Sequence, residues 1–266
     1  MAHGSGSHLI KQGSAAELLR DCSVFDQARL MAFADAHAAA YAAAEPFPHI
    51  VIDDFLNIEF VRYLLERFPD LHERPGQEQV SMNTTEGRPA QALKRWISRE
   101  AAVDLAFRCL FWELNSGGFL AFLERLTGIA PLLPDPYLYG AGLHETRASG
   151  FLRVHADFNR HREMGLDRRL NMLVYLNPDW QPGWGGDLEL WTSDMSRCVQ
   201  RVAPIAGRCA IFSTSRHSFH GHPHPLSCPP DNSRKSVAMY YYTHGDGSAA
   251  TAHDTLWQSL PEEVDA

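Results

Sequence analysis

Apolar and polar positions along the chain follow two regimes that change over near Pro136. In residues 15–44 alanine and leucine dominate with few breakers, which predicts one or two helices. Pro46-Phe47-Pro48 ends that pattern, because proline lacks an N–H and holds its predecessor extended. Residues 49–56 then read as a short β-rich run. Residues 60–68 read as an amphipathic helix, with Phe60, Leu64, Leu65 and Phe68 along one stripe and Arg62, Glu66 and Arg67 off it. The polar stretch 72–88 has no apolar period and reads as a loop. Helical character returns over 98–127 and is closed by Gly128.

Beyond Pro136 short β-rich runs alternate with Gly, Pro, Asn and Asp, which predicts a sandwich or barrel. The candidate strands are 137–145, 152–156, 170–176, 186–191, 199–202, 208–212, 218–222 and 236–243. Eight short strands suit a double-stranded β-helix, so the expected fold is mainly β with a helical buttress (α+β): a jelly-roll, cupin-like barrel. There is no internal repeat or linker. The expected organisation is a flexible, Gly- and Ser-rich tail over 1–14 and one domain over 15–266, with helical support in 15–135 and the jelly-roll core in 136–245.

The balance of 45% hydrophobic and 21% charged residues over 266 positions supports a full core and excludes extensive disorder. The formal net charge of −8 opposes general nucleic-acid binding, since the whole-molecule field repels a phosphate backbone. Apolar runs stay far short of the roughly 20 residues that cross a bilayer, so no membrane span is expected. No secretory leader is visible, and a cytoplasmic location is expected. The five cysteines (Cys22, Cys109, Cys198, Cys209, Cys228) are scattered and form no CxxC pair, which favours reduced thiols over disulfides or a thiolate zinc site. The sequence is silent on oligomeric state.

The candidate chemistry lies in histidines. His155-Ala156-Asp157 sits in a strand-like run, where residues two apart project from one face, so an imidazole and a carboxylate point together. A third ligand from a distant strand would complete the two-histidine, one-carboxylate set of non-haem Fe(II) oxygenases. His217, His220, His222 and His224 are all available for that place. Alone, an HxD tripeptide is weak evidence.

Several further motifs stand in order around it: Tyr175-Leu176-Asn177, Gly185-Gly186-Asp187-Leu188, Pro204-Ile205-Ala206-Gly207, Phe212, His220 and Arg234-Lys235-Ser236. With the leading segment Pro46–Leu56, this series resembles the 2-oxoglutarate- and Fe(II)-dependent dioxygenases, specifically their prolyl-4-hydroxylase-like branch, over about three quarters of the chain. The resemblance implies that His155, Asp157 and His220 bind Fe(II), with His217 the second choice for the distal position. His222 is then a pocket or supporting residue, and His224 a loop residue. It also implies that Arg234 and Ser236 hold the distal carboxylate of 2-oxoglutarate, with Tyr175 reaching the same group; the face that Tyr175 shares with Leu173, Asn171 and Arg169 is then inward.

The implied reaction consumes O2 and 2-oxoglutarate, supported by ascorbate. It releases succinate and CO2 and inserts one oxygen into an unactivated C–H bond of an amino acid, peptidyl residue or natural-product intermediate. Asp157 favours hydroxylation over halogenation, because halogenating relatives carry a small residue there. A catalytically silent or 2-oxoglutarate-independent metal-binding barrel is the competing reading, and retention of Arg234 argues against it. Arg160, His161, Arg162, Arg168 and Arg169 form a local positive cluster after the metal-bearing strand. Arg160, Arg162 and Arg169, with His222, are candidate contacts to an anionic small-molecule or peptidyl substrate. The bland alternative is that Glu163 and Asp167 pair with these arginines on a solvated loop.

Overall fold

The computed structural model describes residues 2–72, 87–245 and 251–261. In chain order the elements are β1 (His3–Ser5), α1 (Ala15–Arg20), α2 (Gln27–Ala42), β2 (His49–Asp53), α3 (Ile58–Leu65), β3 (Gln91–Ile97), α4 (Leu105–Leu114), α5 (Gly117–Thr127) and β4 (Leu133–Pro134). There follow β5 (Gly142–Ala156), β6 (Asp167–Tyr175), β7 (Leu188–Trp191), β8 (Cys198–Val202), β9 (Cys209–Ser213), β10 (His220–His222), β11 (Ser233–Thr243) and β12 (Leu256–Trp257).

The strands form one curled sheet in the order β1-β2-β9-β6-β11-β5-β10-β7-β8, with β3 and β12 on β5 and β4 on β11. Strand β5 makes the curl. Its first part pairs with β11 (Ser236 opposite His144), and its second part pairs with β10 (His220 opposite His155). Between the two, Ser149 takes a left-handed conformation (φ 64°), and the strand passes from its pairing with β11 to its pairing with β10. What reads in sequence as two strands, 137–145 and 152–156, is this one continuous strand.

Both faces of the central strands are buried. Leu170, Met172 and Val174 of β6 and Val237, Met239 and Tyr241 of β11 share one core with Phe33, Leu110, Phe119 and Phe122 of the helices. The alternate positions Tyr175, Ala210 and Phe212 face the barrel interior with Val51, Leu188 and Leu190. The helices thus buttress one side of the sheet and leave the other side to form a cavity. The stretch 98–127 is two helices. Asp104 caps α4 and Ser116 caps α5 through its hydroxyl, which accepts the Phe119 N–H, so the chain turns between them.

The expected flexible tail needs correction. Residues His3–Ser5 run parallel to β2, the Gly6 N–H donates to the Asp53 carbonyl at 2.6 Å, and Leu9 and Ile10 are buried. Without this segment β2 would present an unpaired edge, and the first residues cover it. Three further strands, β3, β4 and β12, lie outside every stretch that the β-pattern marks. Most of the expected loop at 72–88 lies outside the described residues. No helix among the described residues is long and apolar enough to cross a membrane.

Candidate active site

His155 and Asp157 leave the end of β5 on one face, as the alternation in a strand requires, and β10 brings His220 directly opposite His155. Their metal-ligating atoms all lie within 4.8 Å of one another. Nε2 of His155 is 3.6 Å from Asp157 Oδ1, and Nε2 of His220 is 3.4 Å from Asp157 Oδ2. The opposite edge of each ring is already committed: His155 Nδ1 donates to the Arg153 carbonyl at 2.8 Å and His220 Nδ1 to the Ser218 carbonyl at 2.9 Å. That fixes the tautomer and turns both Nε2 lone pairs toward the carboxylate, the arrangement that prepares imidazoles for a divalent cation. The donor set fits Fe(II), with coordination positions left open on the cavity side. Among the described residues no second cluster of this kind occurs.

The strand also explains which histidine takes the distal place. Gly221 follows His220 where β10 crosses β5 closely; a Cβ there would lie 2.8 Å from the Arg153 carbonyl oxygen. Only glycine fits without moving that backbone. His217 is exposed on the turn before the strand, and His224 is exposed after it, 3.8 Å from Glu189.

Asp157 has partners that the sequence pattern does not single out. Asn171 Nδ2 donates to its Oδ2 at 2.7 Å, and the Arg168 guanidinium lies 3.2 Å from the same oxygen. Arg168 is 4% exposed and sits 3.5 Å over the Tyr240 ring. Burial would push the Asp157 carboxyl up, but Arg168, with His220 and His155, outweighs it and holds the carboxyl well below the usual carboxylate range. Arg168→Leu is therefore expected to weaken Fe(II) binding by about 10–100-fold, with Arg168→Lys recovering part of it. A metal titration with the thermal midpoint measured alongside checks this; unchanged affinity in a folded Arg168→Leu protein would dismiss the contact as irrelevant to the metal.

The cavity beside these ligands has a volume of about 1100 Å³ and reaches Arg234, Ser236, Lys94, His144 and His222. Arg234 is buried and fixed: its Nε donates to the Gly186 carbonyl at 2.8 Å and its Nη2 to Tyr175 Oη at 3.4 Å. Ser236 pairs directly with Tyr175 across β11 and β6, so guanidinium, hydroxyl and phenol meet at one end of the cavity. At the other end, β12 sets Trp257 opposite His155, with ring centroids 4.9 Å apart.

The basic cluster after β5 divides. Arg160 and Arg162 line the mouth; Arg160 Nε donates to the Gly165 carbonyl, and Arg162 pairs at 2.9 Å with exposed Asp254. The inward face of β6 is corrected at its start. The register between β6 and β11 shifts, so that Tyr242 pairs with Arg168 and not with Arg169. This irregularity re-aims the alternation: Arg168 faces the metal ligands, while Arg169 does not line the cavity and donates to Thr243 Oγ1 at 3.2 Å. His222 lies within the cavity.

Burial holds the His220 imidazole down at about 4 and pushes His144 and His222 well below the ordinary histidine range. In the unfolded chain these rings take up protons near about pH 6.5. The unfolded state therefore binds more protons in that window, and stability of the metal-free protein, full above about pH 6.5, falls as the pH drops toward about 4. Urea midpoints of metal-free protein across this range should decline with acid; a flat profile would mean that the rings are charged inside the fold.

Comparison with known proteins finds similarity in both sequence and fold. Residues 141–242 match the family model of the 2OG-Fe(II) oxygenase superfamily. Among solved structures, the fold is similar to that of a prolyl hydroxylase from Trichoplax adhaerens in complex with a hypoxia inducible factor oxygen degradation domain peptide fragment. The TM-score is 0.55 at 17% identity, covering 81% of this chain and 90% of that one. It is also similar to the prolyl 4-hydroxylases from Phytophthora capsici, with a TM-score of 0.54 at 19% identity, covering 85% of this chain and 68% of that one. The curled sheet is thus similar to the double-stranded β-helix fold of these structures, and the match to the 2OG-Fe(II) oxygenase superfamily model spans its strands from β5 to β11.

Proposed function

We propose that the protein is a hydroxylase that inserts one oxygen into an unactivated C–H bond of an amino acid, peptidyl residue or natural-product intermediate. The observation that carries this reading is the convergence of His155, Asp157 and His220 at the side of a cavity whose far end holds a fixed, buried arginine. Fe(II) with 2-oxoglutarate and O2 supplies the oxidising power, with succinate and CO2 as co-products. The chain's own part is placement. Nε2 of His155, Nε2 of His220 and the Asp157 carboxylate hold the metal, while Arg168 and Asn171 orient that carboxylate.

Arg234, with Ser236 and Tyr175, pairs the distal carboxylate of the cosubstrate. A carboxylate taken out of water there needs a charge-assisted partner, and the planar guanidinium provides one. Leu173, Leu188 and Trp257 wall the cavity and limit water near the reacting C–H. Arg160 and Arg162 at the mouth are placed to meet a substrate, although the exposed Arg162–Asp254 pair is worth little by itself. The five unpaired thiols support a reducing, cytoplasmic setting. The test is conversion of 2-oxoglutarate to succinate with Fe(II) and ascorbate, followed by a mass-spectrometric screen for a compound that gains one oxygen. No succinate above the level of an Asp157→Ala control would refute the assignment.

A further inference from the structure

Lys94 introduces a cation into the cavity that the cosubstrate arrangement does not use. On β3 it pairs with Thr146 of β5, and Arg234 of β11 pairs with the same Thr146 from the other side, so the three side chains share the inward face. Lys94 is 9% exposed and lines the cavity, yet no carboxylate among the described residues lies within ion-pair distance of its ammonium. Its nearest aromatic neighbour is Trp96, whose ring centroid is 5.0 Å from Nζ. His222, 3% exposed in the same cavity, has neither ring nitrogen hydrogen-bonded among the described residues. Buried polar groups are usually paired by protein, by ordered water or by a ligand, and these two face the cavity.

The charges in the cavity point in the same direction. Asp157 has Arg168 as its partner, and Arg234 is fixed where it would meet the cosubstrate's distal carboxylate. The ammonium of Lys94 has no such carboxylate partner among the described residues. Burial pulls it down to about 8, with the charge of Arg234 acting in the same sense and that of Asp157 opposing, so an incoming anion would relieve an uncompensated cation. Arg234 is pinned by a carbonyl and a phenol, whereas no acceptor among the described residues holds Lys94. That difference assigns the rigid fork to the constant cosubstrate and the free ammonium to a second molecule.

We propose that Lys94, with His222 lining the same cavity, is a second carboxylate-binding subsite that takes the carboxylate of the substrate to be oxidised. The inference rests on the oxygenase reading above and narrows the substrate to small carboxylic acids of the amino-acid kind. The discrimination lies inside the cavity, beyond the mouth arginines.

The test uses Fe(II)-loaded protein under argon, so that binding is read without turnover. Calorimetry first measures 2-oxoglutarate; failure of the wild-type protein to bind it would overturn the oxygenase reading itself. With 2-oxoglutarate saturating, the free L-amino acids and their matched primary amides are then titrated into wild type, Lys94→Met and Lys94→Arg. The expected result is at least one acid that the wild type prefers over its amide by about tenfold or more. Lys94→Met should abolish that preference, Lys94→Arg should keep part of it, and 2-oxoglutarate affinity should stay within about twofold throughout. Three results would overturn the proposal. They are the absence of any acid-over-amide preference in wild type, a preference that survives in Lys94→Met, or a tenfold loss of 2-oxoglutarate affinity in Lys94→Met, which would place Lys94 on the cosubstrate.

Discussion

Asp157→Ala is expected to leave the protein without bound iron and without 2-oxoglutarate turnover. The carboxylate is the one anionic member of the ligand set, and it is held ionised by Arg168 and by a hydrogen bond from Asn171. Loss of outer partners of a metal ligand costs about 10–100-fold in affinity, so loss of the ligand itself should exceed about 100-fold. The same substitution strands the buried Arg168 guanidinium, a defect of about 3–5 kcal/mol in stability. Asp157→Asn separates the two effects, because the amide oxygen still accepts from Arg168 while the ligand charge is gone. Iron per chain after dialysis, read with the thermal midpoint, should show Asp157→Asn folded and metal-poor. Full iron content in either variant would remove Asp157 from the site.

Arg234→Ala is expected to raise the KM for 2-oxoglutarate strongly while iron content holds. A carboxylate bound in that buried end of the cavity would lose its guanidinium and keep only Ser236 and Tyr175, at a cost of about 2–5 kcal/mol. That corresponds to a factor of roughly 30 or more. Steady-state succinate formation measured against 2-oxoglutarate concentration reads it directly. A variant with an unchanged KM would mean that the cosubstrate binds elsewhere.

Much of this site is legible in the sequence because strand geometry is local. HxD on a strand places two ligands on one face whatever the rest of the chain does, and Arg234 and Ser236 share a face for the same reason. The step from four candidate histidines to His220 rests on the family resemblance, and the structure supplies a physical reason for the residue after it: Gly221 sits where β10 closely approaches the backbone of β5. The residues that were not legible depend on pairing between distant segments. Arg168 reaches Asp157 because the β6–β11 register shifts near Tyr242; simple alternation from Tyr175 leads instead to Arg169. Lys94 enters the cavity through β3, a strand whose pattern is not strictly alternating and whose register against β5 is itself irregular between Ala92 and Lys94. Trp257 belongs to a two-residue strand defined only by its partner His155. The segment at His3–Ser5 has no apolar period, and becomes a strand because β2 offers it an edge.

The most direct measurement is a crystal structure of the protein loaded with Fe(II) and 2-oxoglutarate under argon. The account predicts one iron bound by Nε2 of His155, Nε2 of His220 and the Asp157 carboxylate, with the distal carboxylate of the cosubstrate against the Arg234 guanidinium. Iron held by His217 or His222 in place of His220, or a cosubstrate that leaves Arg234 without an anionic partner, would contradict it.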